Sequence, residues 1–153
     1  MSVDAQPIDL GVLLALAYGQ FVLELREYLA EEGFDDLGRS DGNVFRALDA
    51  APLTTSELAE RLRISKQGAG QIVADMQARG YVGPGEPDPA DRRARRLTLA
   101  PRGEQALAAA RRFHQRYERR LRRTYGVARV TELRELLVAI AGPVDHELRG
   151  LYI

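Results

Sequence analysis

Apolar residues recur along most of the chain at the three- and four-residue spacing of helices. From Ile8 to Glu32, Leu10, Leu13, Leu14, Ala17, Phe21, Leu25, Tyr28 and Leu29 fall on one stripe, which predicts an amphipathic helix of about six turns. Val12, Leu16 and Val22 widen the stripe beyond what one neighbour covers, so the helix is expected to pack on its own body and on a second subunit. Asp35 to Gly42 is polar and glycine-containing and reads as a turn. Val44, Phe45 and Leu48 predict a short second helix that stops near Pro52. Thr54 stands three residues before Glu57, the spacing of a capping box, and opens a third helix with Leu58, Ala59 and Leu62 on one face. Ser65 is a second N-cap candidate, and its helix carries Ile72, Val73 and Met76 before Gly80, the expected C′ residue. Two short capped helices joined by a tight turn make a helix-turn-helix.

The period then changes. Tyr81-Val82 reads as a short strand, Gly83-Pro84-Gly85 as a turn, and Arg95 to Leu99 as a returning strand, with residues 83–94 rich in Pro, Gly and Asp. That is a β-hairpin with a long basic tip. Pro101 suits N1 of a further helix bearing Leu107, Ala110, Phe113, Tyr117, Leu121 and Tyr125, and Gly126 breaks it. Val130, Leu133, Leu136, Leu137, Ile140 and Val144 form the last helix, kinked or stopped at Gly142-Pro143. The expected fold is mostly α with a small β-hairpin wing: a winged helix-turn-helix flanked by long dimerisation helices. Residues 1–34 are the N-terminal dimerisation helix, 41–100 the winged lobe and 101–153 the C-terminal dimerisation helices, all of one continuous domain.

Composition narrows the chemistry. With 45% apolar and 29% charged residues and no 18-residue apolar run, the chain reads as a globular protein with no membrane partner. The N-terminus MSVDAQPID lacks a basic stretch followed by an apolar one, which makes the cytoplasm the expected compartment. No cysteine is present, which excludes disulfides, thiolate metal sites and thiol redox chemistry. His114 and His146 are the only histidines, there is neither G-x-S-x-G nor H-E-x-x-H, and Pro84 lacks the N–H of a phosphate cradle. No enzyme, cofactor, catalytic residue or metal site is assigned; His114 and Glu118 at i, i+4 fall short of one.

The net charge of zero conceals a segregation. Residues 1–60 hold three arginines and twelve carboxylates, residues 61–123 hold sixteen basic side chains against six acids, and residues 124–153 hold three against four. The middle block can present an anion-binding face although the chain as a whole is neutral. Its cations are arginines except Lys66; a GC-rich genome produces the same bias, and arginine also suits bidentate phosphate binding. Arg111, Arg112, Arg116, Arg119, Arg120, Arg122 and Arg123 form either a DNA-facing stripe or partners for Glu24, Glu27, Glu31 and Glu32 of the first helix. The opposed charge blocks favour pairing.

The run LTTSELAERLRISKQGAGQIVADMQARGYV, followed by DPADRRARRLTLAPRG, resembles the MarR family of bacterial transcriptional regulators from about Leu53 to Gly103. The resemblance implies a homodimeric, double-stranded-DNA-binding regulator, expected to be a repressor on a pseudo-palindromic operator. It also implies a small aromatic or phenolic effector between the dimer helices and the winged lobe, near which Tyr18, Phe21, Phe113 and Tyr117 are placed. The recognition helix would present Ser65, Lys66, Gln67 and Gln71, a glutamine being able to bond adenine N6 and N7 together. Thr54, Thr55 and Ser56 would hold backbone phosphate, and the wing would offer Arg92, Arg93 and either Arg95 or Arg96. By resemblance, Arg93 matches the groove-inserting arginine and Asp91 the aspartate that orients it through a salt bridge. The plain alternatives are a solvated helix face for Gln67 and Gln71 and a solubilising loop for the wing.

Two features depart from the family pattern. Gly68 and Gly70 each cost the recognition helix about 1 kcal/mol relative to Ala; close backbone approach to DNA, a helix that orders on binding, and neutral drift are the readings that would account for them. Ala100 stands where a Thr cap is usual, forgoing about 1 kcal/mol. The rival reading is a winged-helix protein-interaction module with weak or lost specific DNA binding; Asp91, Arg93 and the Ser-Lys-Gln run argue against it, the glycines for it.

Overall fold

The structure, a computed structural model, describes residues 8–142; the expectations for Val144, His146 and the first seven residues lie outside it. The chain divides into two compact units, one ending at Asp36 and the other beginning at Leu37. The first holds α1 (Leu10–Glu31). Its last turn closes through the Phe34 N–H on the Leu29 carbonyl and the Gly33 N–H on the Ala30 carbonyl. Leu25 and Leu29 are buried, whereas Leu10, Val12, Leu13, Leu14, Leu16 and Leu23 are exposed, Leu10 by 68%.

The second unit runs α2 (Asp41–Ala50), α3 (Thr55–Leu62), α4 (Lys66–Ala78), β1 (Val82–Pro87), β2 (Arg95–Leu99), α5 (Pro101–Tyr125) and α6 (Val127–Ala141). This is the expected mostly-α fold with a winged helix-turn-helix. Both predicted caps form. The Thr54 hydroxyl accepts from the Glu57 N–H at 3.2 Å while Glu57 Oε2 accepts from the Thr54 N–H at 2.8 Å, and Ser65 Oγ accepts from the Gly68 N–H at 3.0 Å. Between the two helices Arg63 takes a left-handed conformation, φ 54°, at a cost of about 1 kcal/mol.

Gly80, at φ +80°, ends α4 as predicted. The Gly80 N–H bonds the Gln77 carbonyl and the Tyr81 N–H the Met76 carbonyl, and Met76 and Tyr81 are both fully buried. Tyr81 therefore closes the helix rather than opening the strand. Phe45 meets its ring edge-on at 5.6 Å, and Arg79 and Arg102 lie against it at 5.4 and 4.6 Å. Val44, Leu48, Leu58, Val73, Val82, Leu97, Ala109 and Phe113 complete the core from α2, α3, α4, both strands and α5.

Two further readings are corrected. Asp41 and Gly42 do not belong to a turn but open α2, because the Asp41 carboxylate is buried and bonded rather than solvated. Gly83-Pro84-Gly85 is strand, with Gly83 opposite Thr98 and Pro84 opposite Leu97, before a bulge between Pro84 and Pro87. A two-stranded ribbon leaves β1 an open edge, so the proline's missing N–H costs no ladder bond. Glycine is required at 85, where a Cβ would come within 2.9 Å of the Arg96 carbonyl oxygen and of Thr98 Cγ2. Leu53 adds a bridge to the other edge, its N–H and carbonyl both bonded to Leu97.

Ala100 is the N-cap of α5, extended at φ −79°, ψ 166°, and gives no side-chain cap. Ala100→Ser is expected to raise unfolding free energy by about 1 kcal/mol, read as a higher urea midpoint at unchanged slope; an unmoved midpoint would show that the first turn is already satisfied.

Candidate nucleic-acid interface

α4 buries Ala69, Val73 and Met76 and turns Lys66, Gln67 and Gln71 outward with Ser65. That one-sided burial fixes which face is free to enter a groove. The first turn carries no carboxylate, so Lys66 and the free N–H groups of the helix start make it an attractive end for phosphate. Thr54, Thr55 and Ser56 lie at the half-buried start of α3. The Thr54 hydroxyl already accepts the Glu57 N–H, and it can still donate to a phosphate oxygen.

The two glycines separate. A Cβ at 68 would sit 3.1 Å from Ser65 Oγ, crowding the cap that starts the helix. A Cβ at 70 would meet nothing within 4 Å. Gly68 thus has a local reason to be glycine and Gly70 has none within the lobe.

In the wing, Asp91 Oδ1 accepts the backbone N–H of Arg93 at 3.0 Å, and the Asp91 carbonyl accepts from the Ala94 N–H at 2.9 Å. The ion pair expected between Asp91 and the Arg93 guanidinium is replaced by this Asx turn, which shapes the tip's backbone and leaves Arg92 and Arg93 exposed. Arg95 is exposed too, with one long bond, 3.4 Å, to the Gly85 carbonyl. Arg96 points inward: Nη1 donates to the Pro52 carbonyl at 2.9 Å, and Nη2 lies 3.3 Å from Asp88 and 3.6 Å from Glu57. The choice left open between Arg95 and Arg96 falls to Arg95 as the outward one.

Sequence reasoning missed the residues that hold the site in place. Arg79 Nη1 bonds the Asp41 carboxylate at 2.8 Å, and Nη2 bonds Asp75 at 2.5 Å. Asp41, 3% exposed, also accepts the Gly38 N–H at 2.7 Å. These bonds, Asp41's first, hold the Arg79 guanidinium charged beyond the ordinary range of arginine despite its burial. Arg102 donates to the Arg79 carbonyl at 2.8 Å. The one signal was the hydrogen-bonding residue just before Gly80; nothing in the spacing paired it with Asp41.

The aromatic residues placed near an effector fall in different units. Tyr18 and Phe21 stack on α1 with centroids 6.5 Å apart, and Phe113 and Tyr117 lie 5.8 Å apart on α5. A groove of about 560 Å³ between α5 and α6 is lined by Tyr117, Leu121, Val130, Leu133 and Leu137, while Phe113 is buried outside its lining. Arg122 and Arg134 bond Glu118 at its rim, and the Arg122 bond above all holds that carboxylate below its usual pKa. The His114 imidazole is pulled below its ordinary value by desolvation and by the charge of Arg46. Arg111 pairs with Asp49 of α2.

Capped tandem helices, an outward basic helix start and an arginine-tipped hairpin define a winged helix-turn-helix. Residues 35–94 match the MarR family model, a stretch that runs from the end of the first unit through the helix-turn-helix to the tip of the hairpin. No curated protein matches the chain. Among solved structures, the reduced form of MarR from E. coli is similar at 22% identity and TM-score 0.70, over 90% of this chain and 99% of that one. Streptococcus pneumoniae FabT in complex with DNA is similar at 17% identity and TM-score 0.67, over 86% and 91%. A mutant of S. aureus MepR bound to an oligodeoxyribonucleotide shares 13% identity at TM-score 0.62, over 91% and 100%. These likenesses establish the fold.

Gly70→Ala is expected to stabilise the protein by about 1 kcal/mol, and Gly68→Ala to gain nothing because its Cβ crowds the Ser65 cap. Denaturant midpoints of the two variants check this; equal gains would remove the crowding at Gly68 from the account.

Proposed function

We propose that the protein is a DNA-binding transcriptional regulator that works as a homodimeric repressor on a pseudo-palindromic site. The carrying observation is the outward start of α4, with Lys66 and no acid in its first turn, on the same lobe as a wing tip whose Arg92, Arg93 and Arg95 are exposed. α4 would enter the major groove with Gln67 and Gln71 toward base edges, Ser65 and Thr54 to Ser56 on phosphate, and the Asp91-shaped tip in the minor groove. The neighbours solved with DNA support the reading. Such a regulator works in the cytoplasm, where bacterial DNA lies.

Dimerisation follows from apolar surface. α6 exposes Leu133, Leu136, Leu137, Val138 and Ile140, and α1 exposes its N-terminal leucines. A monomer rarely leaves contiguous surface of this kind to water, and a second copy would cover it while setting two recognition helices about 34 Å apart. Among the described residues no helix is long and apolar enough to cross a membrane. An aromatic or phenolic effector would suit the apolar groove beside Tyr117. Favouring one spacing of the recognition helices by roughly 1–3 kcal/mol, it would lower DNA affinity about 5- to 150-fold.

The test is an anisotropy titration of the full chain against duplexes it selects from a random pool, at several salt concentrations. Arg93→Ala is expected to weaken all selected duplexes by a similar factor and to lower the salt slope by about one unit. Selection of no duplex over competitor DNA would overturn the reading in favour of a protein-interaction module. In sedimentation, the wild type should run as a dimer and Leu136→Asp with Ile140→Asp as a folded monomer with weaker DNA binding; a monomeric wild type would remove the dimer.

A further inference from the structure

Arg96 is the one arginine of the wing cluster whose guanidinium faces the lobe. It sits on β2 one residue from Leu97, which bridges Leu53, so its side chain reaches the connection that leads into α3. There it donates to the Pro52 carbonyl at 2.9 Å. Its other terminal nitrogen lies between two carboxylates: Asp88, on the near side of the wing tip, at 3.3 Å, and Glu57, in the first turn of α3, at 3.6 Å. Glu57 has a second task, since its Oε2 accepts the Thr54 N–H as half of the capping box. Asp88 has one too: its N–H bonds the Ala94 carbonyl across the neck of the tip, and its Oδ1 takes the Ala90 N–H at 3.4 Å.

A single side chain therefore ties the neck of the wing tip to the capped start of α3. We propose that Arg96 is a positioning residue for DNA binding, fixing the wing tip against the α3 N-terminus so that Arg93 and Arg95 meet the duplex in register with Thr54 to Ser56. Its single positive charge also offsets half of the negative charge that Asp88 and Glu57 place between two phosphate-seeking segments. The inference rests on the DNA-binding reading. A guanidinium suits the task because its planar fork serves a carbonyl and two carboxylates at once, where an ammonium is a point charge.

A double-mutant cycle on the full chain tests it: wild type, Arg96→Gln, Arg93→Ala and the double variant, titrated against one selected duplex across a salt series. Arg96→Gln is expected to weaken binding roughly tenfold in the wild type but only about two- to threefold in the Arg93→Ala background, because the two residues act through one contact. It should also lower the salt slope by about one unit or more although Arg96 touches no phosphate itself, since the tip's arginines disengage. Losses that add within about twofold, or an unchanged slope, would overturn the proposal and leave the clasp a purely structural tie. If Arg96→Gln does not fold by circular dichroism, Arg96→Lys, which keeps the charge but not the fork, carries the same cycle. Failure of the wild type to bind any duplex selectively is seen before any variant is made; it removes the DNA reading and this inference with it.

Discussion

The buried ion pair between Asp41 and Arg79 is the constraint on which the geometry of the lobe depends. It joins the first residue of α2 to the C-cap of α4, and the Arg79 carbonyl in turn holds Arg102 at the start of α5. Three helix ends thus meet at one residue, Arg79, whose guanidinium packs over Tyr81. Losing either partner would leave the other charge unpaired in a site where Asp41 is almost without solvent, at a cost of about 3 kcal/mol or more. The stake is also mechanical. α4 is about 20 Å long, so a tilt of about 5° at its anchored end moves its first turn by about 2 Å, more than hydrogen bonds to base edges tolerate. The proposed recognition surface is at the far end of a lever whose fulcrum is this pair.

The wing is held by a different device to the same end. The ribbon is only two strands wide, and Leu53 and Arg96 supply from its other edge what a third strand would. Gly85 lets the strands approach at the bulge, and the tip beyond Asp88 is shaped by bonds to backbone rather than by packing. The wing is therefore rigid at its neck and solvated at its tip. That division suits the role proposed for the tip arginines, which is to reach a groove without carrying any of the core.

Local features of this chain were legible in sequence, and distant ones were not. Thr54, Ser65 and Gly80 announced their helix ends because a cap acts within three or four residues. The 38 residues separating Asp41 from Arg79 and the 44 separating Pro52 from Arg96 carry no such spacing. Composition misled at two places for one reason. Gly-Pro-Gly and Asp-Gly look like turns wherever they stand, yet an open-edged strand tolerates proline and a buried N-terminal aspartate starts a helix. Asp91 shows a subtler limit: the motif located the residue, while the geometry gave it a backbone partner in place of a side-chain one. The outward positions of Ser65, Lys66, Gln67, Gln71, Arg92, Arg93 and Arg95 were legible because these polar side chains lie off the apolar stripes that build the core.

The neutrality of the chain bears on how the proposed dimer would bind. A uniformly basic protein would hold any duplex through counterion release alone. Here the basic side chains of the wing are few and partly spent, Arg96 on carboxylates and Arg95 partly on Gly85. A single lobe should therefore bind weakly, and selectivity should come from engaging two half-sites at once, a linkage that raises affinity by about 10²–10⁴ only when the geometry permits both. Over most of its range that factor exceeds the effector coupling proposed above, so an effector need only partly misalign the lobes to act. A rigid lobe makes this possible: if the Asp41–Arg79 junction yielded, each recognition helix would accommodate the altered spacing by itself, and displacement between the lobes would cost little binding.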